Sequence, residues 1–148
     1  MGGAELLRSL VAESGFCAVI AESAFATFRE AAYDRLGQVF STGSWLGRTL
    51  LRPALGLGTA YTRLRYGVDL AQANPASAVA ASGVPVFLIH GLADNNLPPR
   101  HAEIIRARNS RVALWEPVGA GHCGASTAAP AEYERRVIGW FASHRLPH

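Results

Sequence analysis

Two short apolar runs constrain this chain most: Cys17 to Ala21 (CAVIA), bounded by Gly15 and by Glu22-Ser23, and Val84 to His90 (VPVFLIH), introduced by Gly83 and Pro85. Continuous apolar runs of that length are the pattern of strands covered on both faces. A third strand is predicted over Val112 to Val118, with Pro117 near its end. Elsewhere the apolar period is helical. Leu6, Leu7, Leu10 and Val11 mark an opening helix that stops at Ser14-Gly15, and Pro99 to Arg108 reads as a further helix. Thr27 and Glu30 form a capping-box pattern on a helix whose Phe28, Ala31, Ala32, Leu36, Val39 and Phe40 share one face. Ala131 to Ser143 is the closing helix, carrying Tyr133, Val137, Trp140 and Phe141. Strand and helix in alternation imply an α/β fold, a parallel sheet in a three-layer arrangement.

At 148 residues, 49% hydrophobic and 17% charged, the chain is long enough for one domain with its own core. No repeat or linker divides residues 1–148. The connection between the first two strands, however, takes about 60 residues where a plain crossover needs about a dozen. Residues 41–67 read as an insertion of one or two short helices, with Trp45, Leu46, Leu50, Leu51, Leu55, Leu57, Tyr61 and Leu64 interrupted by Pro53 and four glycines.

All 14 basic residues are arginine, set against 11 acids and spread along the chain, so a net charge of +3 gives no footprint for nucleic acid. Arg48, Arg52, Arg63 and Arg65 occur with no acid between Asp34 and Asp69; they are expected to form a solvated face, the alternative being contact with a membrane surface or an anionic substrate group. Cys17 and Cys123 have no spacing for zinc or for a disulfide framework and are expected to be reduced, buried thiols. No signal-peptide pattern and no run of about 20 apolar residues is present, so the expectation is a cytoplasmic chain without a membrane partner.

In parallel α/β sheets the reactive groups gather beyond the carboxyl ends of the strands. The second strand ends in His90-Gly91-Leu92-Ala93-Asp94-Asn95-Asn96-Leu97-Pro98, and the third in Gly119-Ala120-Gly121-His122-Cys123-Gly124. A carboxylate at one strand end can orient an imidazole at the next, freeing the other ring nitrogen to act as a base. Asp94 and His122 are the candidate catalytic pair.

HGLADNNLPP after a strand, then a helix, a strand and GAGH, with 28 residues from Asp94 to His122, resembles the acid and histidine segments of the α/β-hydrolase superfamily, in particular its bacterial esterase-like and peptidase-like members. The resemblance implies strands six to eight of that fold with their flanking helices, and a cap insertion at 41–67 whose Trp45 and Leu50 would bind substrate. It also implies a triad in chain order Ser, Asp, His, the serine in a G-x-S-x-G turn. A common form of that turn continues M-G-G into a helix, and this chain begins Met1-Gly2-Gly3-Ala4. On that match the nucleophile falls just before Met1, and the Met1 amide is the residue's oxyanion donor.

Other assignments stay open at this point. Ser23 could replace the serine, although AESAF lacks the glycines of an elbow; Cys123 could pair with His122; Glu22 could be an alternative acid or a structural carboxylate. His90 is expected to make a structural hydrogen bond, and His101, His144 and His148 to be solvated. The expected function is hydrolysis of a carboxylic ester, thioester or amide, with no cofactor and no metal. The alternative is an inactive remnant or interaction module. With one strand edge bare, the isolated chain is expected to self-associate.

Overall fold

The computed structural model describes residues 2–13, 15–43 and 45–144. Its contacts group into two units, Met1–Ala26 with Pro75–His148, and Thr27–Asn74. The expected insertion at 41–67 falls inside the second, which starts earlier.

The first unit is built on three parallel strands in the order β1 (Val19–Glu22), β2 (Val86–Ile89), β3 (Ala113–Trp115). Val19 pairs with Val86 and Glu22 with Ile89, while Phe87 pairs with Ala113 and Ile89 with Trp115. The side chains alternate as a pleated strand requires. Val19, Ala21, Val86 and Leu88 point to one face, where Leu7, Leu10, Val79, Ala102 and Ile105 complete a core from helices α1 (Gly2–Ser9), α5 (Pro75–Ala81) and α6 (Arg100–Arg108). Phe87 and Ile89 point to the other, against Tyr133, Val137 and Trp140 of α8 (Pro130–Ser143) and Ala125 of the short α7 (Ala125–Ala128). Helices on both faces of the sheet make the three layers.

The strands are shorter than their apolar runs. β1 begins at Val19, whose N–H donates to the Pro85 carbonyl, because the partner strand offers no ladder before that point. Cys17 therefore precedes the sheet and is exposed, as is Cys123 in its loop, so neither is the buried thiol expected from composition. β3 stops at Trp115, two residues before Pro117, which has no N–H to give a ladder; Val118 beyond it is exposed. Helix α5 was not expected. Its PASAVAA sequence carries no long apolar stripe, yet Ala76, Ala78 and Val79 are buried, and the Val79 carbonyl accepts from Asn109 Nδ2 at 3.1 Å.

The second unit contains α2 (Phe28–Val39), α3 (Trp45–Arg48), α4 (Arg52–Tyr66) and a 3₁₀ turn over Leu70–Gln72. Thr27 caps α2, its hydroxyl accepting from Glu30 N at 3.1 Å, as the capping pattern predicts. The buried residues of α2 are Tyr33, Asp34 and Gly37 rather than the expected apolar face, whose Val39 and Phe40 are exposed. The reason is the neighbour: α3 lies on Tyr33 so closely that a Cβ on Gly47 would stand 2.8 Å from the Tyr33 Cα. Arg48 closes this contact by an ion pair to Glu30 and by its guanidinium over the Tyr33 ring.

Candidate active site

Beyond Ile89 the chain of β2 leaves the sheet through His90, whose N–H still donates to the Trp115 carbonyl. Gly91 then passes against the loop that follows β3. Leu92 N donates to Pro117 O at 3.2 Å and Ala93 N to Ala120 O at 2.9 Å, so the two loops are stitched together by backbone. The turn brings Asp94 inward to 2% exposure. Its Oδ1 accepts from the amides of Asn96 (3.0 Å) and Leu97 (2.8 Å), the local hydrogen bonding that an aspartate in a turn makes. Its Oδ2 lies 2.8 Å from His122 Nδ1.

The sequence-predicted pair is thus brought together at the carboxyl ends of adjacent parallel strands. The imidazole side chain of His122 is 37% exposed while the carboxylate is fully enclosed, so the carboxylate is shielded and the imidazole faces outward. With Asp94 ionised, His122 Nδ1 carries the proton donated to Oδ2, and Nε2 is left with its lone pair.

Burial works to raise the Asp94 carboxyl, but the Leu97 amide, His122 and the Ser23 hydroxyl outweigh it and hold the pKa below the ordinary aspartate value. His90 is lowered, chiefly by burial, with its bond to Leu97 acting the other way. It is structural, as expected: at 1% exposure its Nε2 donates to the Leu97 carbonyl at 2.8 Å and braces the loop that carries Asp94.

The end of β1 contributes two residues whose roles the sequence left open. Ser23 has a left-handed backbone, φ 49°, and is 7% exposed. Its Oγ accepts from the Cys123 amide at 3.0 Å, and its hydroxyl helps to hold the Asp94 pKa down, so Ser23 stands between the carboxylate and the residue after His122. Glu22 Oε1 accepts from Ala125 N at 2.9 Å, at the start of α7. This is a structural carboxylate's contact. Three strand ends therefore converge on His122, and at the third of them, that of β1, the sequence places Ser23 and Glu22 with their roles open. A polar residue directly after an apolar strand was the available signal for the third.

His101 corrects an expectation. It is fully buried, not solvated, and its Nδ1 accepts from Ala26 N at 3.2 Å. His144 stacks on Trp140 with ring centroids 4.1 Å apart and is half-buried. Trp45 and Leu50, in the second unit, are 62% and 70% exposed. Met1 and His148 lie outside the described residues. Among the described residues no group of His, Cys, Asp and Glu is arranged to hold a metal ion, and no helix is long and apolar enough to cross a membrane.

No family model and no curated sequence matches the chain. Solved structures do. An esterase of Pyrococcus furiosus superimposes with a TM-score of 0.62 at 19% identity, covering 96% of this chain and 50% of its own. An acylaminoacyl peptidase of Pyrococcus horikoshii gives 0.66 at 15%, covering 99% of this chain and 23% of its own. The chain has the C-terminal portion of the α/β-hydrolase fold. The esterase domain of a Rhodothermus marinus protein gives 0.64 at 17%, covering 95% and 55%. The chain thus spans about half the length of the esterases it resembles and about a quarter of the peptidase.

Proposed function

We propose that this α/β-hydrolase-fold chain supplies the acid and the base of an acyl hydrolase acting on a carboxylic ester, thioester or amide. The observation that carries the reading is the 2.8 Å contact between the enclosed Asp94 carboxylate and the outward-facing His122 ring. His122 Nε2 would take the proton of an attacking hydroxyl and return it to the leaving group, while Asp94 fixes the tautomer and stabilises the imidazolium. The esterase and peptidase neighbours favour the same chemistry. Ser23 acts here as a positioning residue, because its hydroxyl oxygen already accepts from the Cys123 amide.

No serine of residues 1–148 stands in a G-x-S-x-G elbow, so in this reading the nucleophile is contributed from outside them, next to Met1, whose amide would help to hold the oxyanion. Trp45 and Leu50 are the proposed substrate-binding residues of the insertion. The residual side of β1, which pairs with β2 alone among the described residues, is the proposed site of self-association.

A fluorophosphonate probe tests the proposal. Residues 1–148 alone should take no label, and the same chain extended upstream to include a G-x-S elbow should label on that serine and turn over p-nitrophenyl esters. Loss of that turnover in His122→Ala and Asp94→Ala is expected to be on the order of 10⁴-fold for a unit of this kind. Turnover that survives both substitutions, or stoichiometric labelling of Ser23, overturns it.

A further inference from the structure

Helix α4 has no buried residue. Its half-buried positions are Leu55, Thr59 and Thr62, spaced i, i+4, i+7 along one face. The opposite face repeats the spacing with Leu57, Tyr61 and Leu64, which are 73%, 60% and 87% exposed. The outward face of a surface helix is ordinarily its polar one, so α4 is inverted. Arg65 borders this apolar face, while Arg52 and Arg63, eleven residues apart and so three turns along nearly the same line, lie further round the helix toward its half-buried side. Arg63 and Asp69 approach only to 3.6 Å, with 70% of the arginine side chain exposed. No acid occurs between Asp34 and Asp69.

We propose that the outward face of α4 lies on an anionic lipid surface. Leu57 and Leu64 would enter the boundary between headgroups and acyl chains, Tyr61 would sit at the headgroup level with its hydroxyl wet, Arg65 would meet lipid phosphates beside them, and Arg52 and Arg63 would add positive charge from the sides of the helix. A second copy of the chain is a poor occupant, since two such faces would bring arginines against arginines with no acid to match them. The proposal takes up the alternative to a plain solvated face for these arginines, because the residues at the centre of the exposed surface are apolar. The proposal is independent of the acyl-transfer reading: it uses no residue of the Asp94–His122 site.

Flotation of the 148-residue chain on vesicles tests it. Phosphatidylcholine vesicles should carry little protein, and mixing in phosphatidylglycerol should raise the partition coefficient on the order of ten- to a hundredfold, an increase that added salt reverses. Leu57→Ser/Leu64→Ser should abolish flotation with unchanged circular dichroism and thermal unfolding, since both side chains are exposed. Arg52→Gln/Arg63→Gln/Arg65→Gln should remove the preference for the anionic lipid. Equal or absent flotation on the two vesicle types overturns the proposal, as does flotation that survives the leucine substitutions. A dimer formed without lipid and lost in the leucine variant would assign the face to a second copy instead, and overturns it too.

Discussion

A Cβ placed on Gly91 would stand 2.2 Å from the carbonyl oxygen of Ala120 and 2.7 Å from that of Gly121. Both obstacles are backbone, so neither can swing aside, and the loop carrying Asp94 can approach the loop carrying His122 only because residue 91 has no side chain. Gly91→Ala is expected to force the loops apart and to cost about 1–3 kcal/mol or more, as overpacking does. Urea unfolding measures the loss, and the His122 ring resonances in NMR should shift with it. An alanine variant as stable as the parent, with His122 undisturbed, would contradict the close approach.

Asp94 makes stability depend on acid. Its folded pKa is lowered, so the stabilisation is complete above the ordinary aspartate value of 3.8 and is lost as pH falls through the folded value. Asp94→Asn leaves the shape but removes the charge that the Leu97 amide, His122 and Ser23 address; at neutral pH it should cost about 1–3 kcal/mol. The parent should then lose more stability than the variant as pH falls from about 4 toward about 2. Parallel curves for the two proteins would mean that the carboxylate is not held as described.

His90 acts in a different window. Burial lowers its pKa below 6.5, so protons bind the unfolded chain first, and stability declines as pH falls below 6.5 until the folded ring protonates. His90→Gln should be less stable at neutral pH and should show a flatter profile from about pH 7.5 to about pH 5.5. Thermal unfolding across that range decides the matter; an unchanged slope would assign the acid sensitivity to another group.

Ser23 combines a left-handed backbone with a hydrogen bond from the Cys123 amide, and two substitutions separate these contributions. Ser23→Ala loses the bond and keeps the strain, at a cost of about 1–2 kcal/mol. Ser23→Gly loses the same bond and relieves a backbone penalty of about 1 kcal/mol, so it should be the more stable of the pair. If the order is reversed, the left-handed backbone at residue 23 carries no strain for a side chain; if Ser23→Ala costs nothing, the hydroxyl does not hold the Cys123 amide.

The unpaired edge of β1 should show in solution. Light scattering on the isolated chain should report concentration-dependent association, because an apolar strand with unpaired backbone templates another. This association should persist in Leu57→Ser/Leu64→Ser, which separates it from any pairing through α4. A monodisperse 15.7 kDa species at all concentrations would remove the edge from consideration.

What the sequence determined by itself was local. The period of apolar residues located the three strands and most helices, and the polar loops after VPVFLIH and VALWEPV placed Asp94 and His122 at one edge. Strand ends in a parallel sheet point the same way, so a carboxylate and an imidazole on consecutive ends needed only the sheet to form for them to meet at 2.8 Å. Tertiary structure decided everything that depends on what a residue packs against. His101 looks like a surface residue in RHAEIIRAR, yet it is buried because the amide of Ala26, 75 residues earlier, lies over it. Cys17 belongs to an apolar run but stays outside because its partner strand begins too late. Ser23 and Glu22 acquire roles only when the His122 loop settles on the end of β1. Apolar period says which residues can share a face; which of those faces meets protein and which meets solvent, as on α4, is fixed by contacts between segments far apart in the chain, and those contacts leave no periodic trace in any one of them.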